Sequence, residues 1–489
     1  MSLSSALSKS VQVKFFDMSV FFIVSLITFR YFEIDERGLL SIFWATFFII
    51  ELLIMEFGVT AQAKIPDQII KKENTKVQQT ILSIYIVRSL SALLIGIFVY
   101  IFSEQISIIV TPENIDPKRL ESILNTMSLF FSLNFLFGPV DHTTLIAFKR
   151  YEKMRLFLNM KIVPILFSAL ITLALKESPE FMILTYILIR FIIQSIVGWH
   201  SYFFLITNKD ISFDRIFINV NELKSVSVHG IPLWISTLLA ASLPHISILM
   251  LGENTSLESV AKFSLAMSIF MAAIAFVDMV DGWLIPKLSE RKSKDTKIIH
   301  MYLNDFYNLY FYISTLFSIL IIIFSELGVM IISGNGYADS ITILIALSCF
   351  MNFRTLLIFR NVINVFNSTN TTLAFVIFKF VIEIISMLIL IPIIGYYGIL
   401  IAQLIAYFII GQLFIISSLS KVLKEKNLVK LFFNRYLSMA LISSIIIGVL
   451  LPLHFMNNYL FYFLAIFYIF CTLIIIFKKK DVLMETLSS

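Results

Sequence analysis

Apolar runs of 17 to 28 residues, separated by short polar breaks, can be followed down the whole chain. They fall near 10–29, 39–59, 81–102, 122–147, 157–175, 181–206, 226–250, 258–285, 305–332, 339–365, 374–392, 397–418, 436–452 and 458–477. A spanning helix needs about 20 apolar residues, so the pattern predicts an all-α polytopic membrane protein of about fourteen transmembrane helices. The first run contains Asp17 and lacks a small-residue cleavage site, which marks it as a span and not a removable leader.

The breaks alternate in charge. With the N-terminal tail and every second loop taken as one side, and Lys161, Lys262 and Arg360 given to their nearest loops, that side holds 28 Lys and Arg. The other side holds six, and four lie deeper inside spans. The rich side includes Lys149-Arg150-Tyr151-Glu152-Lys153 and Lys478-Lys479-Lys480. By the positive-inside rule it is cytoplasmic, with both termini. The net charge of +6 is therefore mostly topology and does not announce an acidic partner.

Composition then narrows the function. Hydrophobic residues make up 58% and charged residues 14%, against roughly a quarter charged in a soluble domain. That excludes a soluble enzyme, a nucleic-acid-binding module and a disulfide scaffold; Cys349 and Cys471 both lie in apolar runs. The six histidines show no metal-ligand spacing and no phosphate-binding Gly-rich loop is present, so neither a metal nor a resident cofactor is expected. The outward loops are short, the longest near 103–121. This disfavours the alternative from another class, a membrane polysaccharide polymerase or glycosyltransferase, and the expectation is a non-enzyme.

Two stretches read alike at an offset of about 220 residues. Glu36-Arg37-Gly38-Leu39-Leu40-Ser41, a span, Glu56-Phe57-Gly58 and Lys64-Ile65-Pro66 are followed later by Glu258-Ser259-Val260-Ala261-Lys262-Phe263-Ser264, a span, Asp278, Asp281-Gly282 and Pro286-Lys287-Leu288-Ser289. Lys161 to His200 runs parallel to Lys379 to Leu413. Duplicated bundles are common in secondary transporters. The expected organisation is an N-terminal lobe at 1–207, a cytoplasmic segment at 208–225, a C-terminal lobe at 226–420, and two further spans with a cytoplasmic tail at 421–489.

The Gly38-Leu39-Leu40-Ser41 block with Glu56-Phe57-Gly58, together with Gly230-Ile231-Pro232-Leu233, Leu249-Met250-Leu251-Gly252 and Tyr397-Gly398-Ile399-Leu400, resembles the polysaccharide transporter family. These are the Wzx-type flippases of the multidrug/oligosaccharidyl-lipid/polysaccharide exporter superfamily. Where that family often has an acid before the Leu-Met-Leu-Gly stretch, this chain has Ser247, with His245 nearby. The resemblance implies flipping of undecaprenyl-pyrophosphate-linked oligosaccharide across the bacterial inner membrane by alternating access. It also implies O-antigen or capsule biosynthesis alongside a polymerase and a chain-length regulator, and coupling to H+ or Na+. A cation-coupled multidrug exporter and a lipid II flippase are the alternatives within the superfamily.

Charges inside spans are the candidate chemistry, because each costs about 2.5 to 3.5 kcal/mol at a helix centre unless it faces water or a partner. Arg354, Arg88, Arg190 and Arg360, in that order, are candidates for gripping a pyrophosphate, as the resemblance implies; a structural ion pair or a helix-end anchor is the rival for each. Lys379 is the last of these lumen candidates; it has Glu383 one turn away and reads first as a self-neutralising pair. Among acids, Glu51 is favoured for ion coupling, with Glu383, Asp278, Asp281 and Asp141 as further candidates; Asp141 neighbours His142.

Overall fold

In the computed structural model, the residues described are 3–112, 115–148, 150–207, 219–277, 296–334, 336–354 and 369–406. They are helical throughout, with no strand among them. Seven of the described helices are long and apolar enough to cross a membrane, and an eighth crossing is a bent pair. The chain is a multi-pass membrane protein.

The described residues pack as two compact units, one of Ser4–Ala261 and one chiefly from Lys262 onward. The first contains α1 (Leu3–Tyr31), α2 (Ile34–Leu52), α3 (Gly58–Ile70), α4 (Asn74–Ile101), α5 (Ser103–Val110), α6 (Lys118–Ser132), α7 (His142–Ala147), α8 (Tyr151–Leu175), α9 (Pro179–Thr207) and α10 (Val220–Asn254). α11 (Leu257–Val277) crosses the division. The second unit continues with α12 (Thr296–Ser333), α13 (Ala338–Arg354), α14 (Thr369–Ile394) and α15 (Tyr396–Ile405). The division falls after α10, which packs on α2, α3 and α4.

Local chemistry explains where several helices begin. Asp35 and Glu36 occupy the first turn of α2, where carboxylates meet the positive end of the helix dipole, and Glu36 accepts a hydrogen bond from the Glu33 amide at 3.4 Å. Asp141 caps α7: one carboxylate oxygen accepts from the Thr144 amide at 2.8 Å and from the Thr143 and Thr144 hydroxyls at 2.7 and 2.8 Å. α8 ends at Lys176 in the left-handed conformation, and three residues later α9 returns along it.

Two runs expected as continuous spans are broken. The run 39–59 is helical only to Leu52, and α3 starts at Gly58. The run 122–147 is α6, a 3-10 turn at Asn134–Phe137 and then α7, bent by 59°. Unwound backbone at membrane depth must find partners inside the protein, and here side chains supply them. Ser91 Oγ accepts from the Met55 amide at 3.0 Å, and Trp234 Nε1 donates to Leu52 O at 3.1 Å. At the second break Trp199 Nε1 donates to Leu136 O at 2.9 Å, and the Tyr85 hydroxyl donates to Phe135 O.

The apolar core of the first unit is two layers. One holds Phe43, Phe47, Ile54, Ala92, Val99, Leu124 and Met182 to Ile187; the other holds Phe57, Ile65, Val77, Ile84, Val140, Tyr202 and Val226. Along α4 and α9 the change from one layer to the other falls where Arg88 and Arg190 stand; Glu51, near the end of α2, lies at the edge of the first layer.

Candidate functional site

Arg88 and Arg190 therefore stand between two apolar layers, and Glu51 joins them through its pair with Arg190. Arg190 is 11 residues into α9, about 16 Å along it, and Arg88 is 14 residues into α4, about 21 Å. Neither can reach a helix end.

The Arg190 guanidinium grips the Glu51 carboxylate with both terminal nitrogens; Nη1 donates to Oε2 at 2.9 Å and Nη2 donates to Oε1. Nη1 also donates to the Tyr186 hydroxyl, 3.0 Å away and one turn earlier on α9. Phe47 and Tyr186 rings lie 5.6 Å from the guanidinium carbon. A forked, two-point pair is the geometry that best offsets desolvation of both charges. The pair is not sealed: the Glu51 side chain is 20% exposed and that of Arg190 11%.

Arg88 has a different partner. Its Nη2 donates to Gly138 O at 2.6 Å, in the unwound stretch before α7, while its Nε is buried without a hydrogen bond. Ser91, on the next turn, links the same helix to the other break. α4 is thus a spine to which both broken spans are tied. Gly138 has φ +78°, and Gly198 on α9 comes so close to Phe137 O that no side chain fits between them.

Around the pair lie further polar groups. Lys161 sits ten residues into α8, about 15 Å along it, within electrostatic reach of Glu51 and His142. It makes no hydrogen bond or ion pair among the described residues. The sequence pattern gives Lys161 to a loop because the apolar run starts at 157; the helix begins at Tyr151 and carries this lysine inside a span. His245 of α10 stacks on Phe48, ring centroids 5.2 Å apart, and Phe48 stacks on Trp44 at 5.5 Å.

In the second unit Lys379 Nζ donates to Glu383 Oε2 at 2.6 Å within α14, with side chains 11% and 2% exposed. In a separate pair, Lys262 of α11 meets Asp339 at the start of α13 at 2.6 Å. Arg360, Asp278 and Asp281 lie outside the described residues, as does the side chain of Arg354 at the end of α13. Among the described residues no cluster of His, Cys, Asp and Glu has metal-ligating geometry.

Compared by sequence, the chain matches no family model and no curated protein. Compared by structure, it is similar to the lipid II flippase MurJ in an inward closed conformation: TM-score 0.66, 16% identity, 97% of this chain and 99% of that chain covered. It is also similar to an outward-facing multidrug resistance MATE family transporter of the MOP superfamily, with TM-score 0.64, 14% identity, and 86% and 96% covered. A MOP superfamily transporter from Pyrococcus furiosus gives TM-score 0.62, 15% identity and the same coverage, 86% and 96%. At these identities the likeness is one of fold. The chain has the all-helical, multi-span fold shared by the lipid II flippase MurJ and the multidrug resistance transporters of the MOP superfamily.

Proposed function

We propose that this chain is a flippase for undecaprenyl-pyrophosphate-linked oligosaccharide, carrying it from the cytoplasmic to the outer leaflet of a bacterial inner membrane by alternating access. The product would feed surface polysaccharide assembly, O-antigen or capsule, where a polymerase and a chain-length regulator act next. The observation that carries this reading is the fold likeness to a lipid flippase over 97% of the chain, against 86% for the multidrug transporters. The margin fits the two last apolar runs, 436–452 and 458–477.

The residues take roles accordingly. Lys161, which makes no hydrogen bond or ion pair among the described residues, is the first candidate for the pyrophosphate; Arg354 and Arg360 follow from their place in the sequence. Arg190 is neutralised by Glu51 and Arg88 is bonded to a carbonyl, so each serves the cargo only if those contacts open. Glu51 is the coupling candidate: a proton or Na+ on its carboxylate would weaken the hold of Arg190. Glu383 stands in the same relation to Lys379. Asp141 is committed to its helix cap, and Asp278 and Asp281 remain candidates from sequence.

Depletion of the protein in its own cells tests the reading. Surface polysaccharide should disappear while sugar-bearing undecaprenyl pyrophosphate accumulates. Normal polysaccharide with raised sensitivity to cationic drugs would point to a multidrug exporter. A block in wall synthesis with lysis would point to the second reading, a lipid II flippase, which the likeness to MurJ itself favours.

A further inference from the structure

α2 carries an accessible aromatic stripe. Trp44, Phe48 and Glu51, at i, i+4 and i+7, are half-buried, and of the residues between them Ala45, Thr46, Phe47 and Ile50 are buried, while Ile49, on a different face of the helix, is half-buried too. Lipid cannot lie behind this stripe, because the Glu51–Arg190 pair is on it and partly exposed, and charge bordering hydrocarbon is strongly disfavoured. The space it faces is wet.

The stripe continues onto α10. Trp44 and Phe48 stack with planes 22° apart, Phe48 and His245 with planes 26° apart, and Tyr186 meets Trp44 edge-on at 4.7 Å. The Trp44 indole N–H and the His245 ring nitrogens make no hydrogen bond among the described residues. Open donors and an imidazole thus border apolar ring surface in a water-accessible place, next to a carboxylate and a guanidinium that already satisfy each other. A cationic ligand would need a free acid here, and an anionic one a free guanidinium or ammonium; on the stripe Glu51 and Arg190 are engaged with each other, and the remaining polar groups are an indole and an imidazole. A neutral polyhydroxylated ring suits it, since its C–H surface packs on aromatics and its hydroxyls both donate and accept.

We propose that Trp44, Phe48 and His245, beside the Glu51–Arg190 pair, form a binding face for a neutral sugar ring of the cargo. This rests on the flippase reading and adds to it a subsite separate from the one for the pyrophosphate.

Two ligands separate the claims: undecaprenyl pyrophosphate, and the sugar-bearing undecaprenyl pyrophosphate extracted from cells that carry the protein. Binding of both is measured to the full chain in nanodiscs. Trp44→Ala should weaken the sugar-bearing lipid about ten-fold, a difference of about 1.4 kcal/mol, and leave the sugar-free lipid unchanged; Trp44→Phe should restore most of the loss. A Trp44→Ala protein that loses both ligands is misfolded, and His245→Gln then decides by the same comparison. Equal effects on both ligands, or none, in a folded variant overturn the sugar face alone. If the unmodified protein binds neither lipid, the flippase reading fails and the subsite with it.

Discussion

Glu51 and Arg190 are 139 positions apart in the chain and meet inside the first unit, each the other's reason for being tolerable there. Removing one partner of a buried pair leaves the other uncompensated, at a cost of about 3 to 5 kcal/mol. Glu51→Gln and Arg190→Gln should each lower thermal stability in detergent by that order, and the double substitution should be milder than the sum of the two. Strict additivity would mean that the two side chains do not interact. Arg88→Met removes the donor to Gly138 O and should cost about 1 to 3 kcal/mol, again read by thermal unfolding; an unchanged melting temperature would release Arg88 from that structural role. These three residues are visible in the sequence as charges in apolar runs. Their pairing is not, because the partners come from distant helices. Lys161 is harder still: a lysine near the edge of an apolar run looks the same whether the helix starts before it or after it.

At the scale of elements, the apolar runs locate the described helices to within several residues, as with 181–206 against α9 and 374–392 against α14. What the runs hide is the two breaks. Leu52 to Met55 is as apolar as a helix interior, and hydropathy reports burial, not winding; Ser91 and Trp234 from other helices take hydrogen bonds of the backbone that unwinds there. Gly138-Pro139 is the one local signal at the second break, since Pro disfavours helix at the preceding residue. The packing of that break on α9 depends on Gly198. Gly198→Ala would place a methyl group against Phe137 O and should cost about 1 to 3 kcal/mol, seen as a lower melting temperature and a lower yield of folded protein. A stable Gly198→Ala variant would contradict the close approach.

Across the whole molecule, helix starts recur. α2 and α6 begin at 34 and 118, and α11 and α13 at 257 and 338, offsets of 223 and 220. In the sequence Lys161 is matched by Lys379, 218 positions on. The two positions differ in their surroundings: Lys379 has Glu383 four residues on, while Lys161 has Ile165. Lys379→Met should therefore destabilise the protein by stranding a buried carboxylate, whereas Lys161→Met should leave its melting temperature unchanged and impair transport. A destabilised Lys161→Met protein would show that this lysine is structural.

The claim that this fold moves a sugar-bearing lipid is tested most directly in vesicles. Purified protein is reconstituted with sugar-bearing undecaprenyl pyrophosphate, and the sugar newly exposed on the opposite leaflet is followed with a membrane-impermeant lectin. The account predicts protein-dependent exposure, lost in Lys161→Met. Lipid that stays on its own leaflet, in vesicles where the same protein exports a cationic drug, would contradict it.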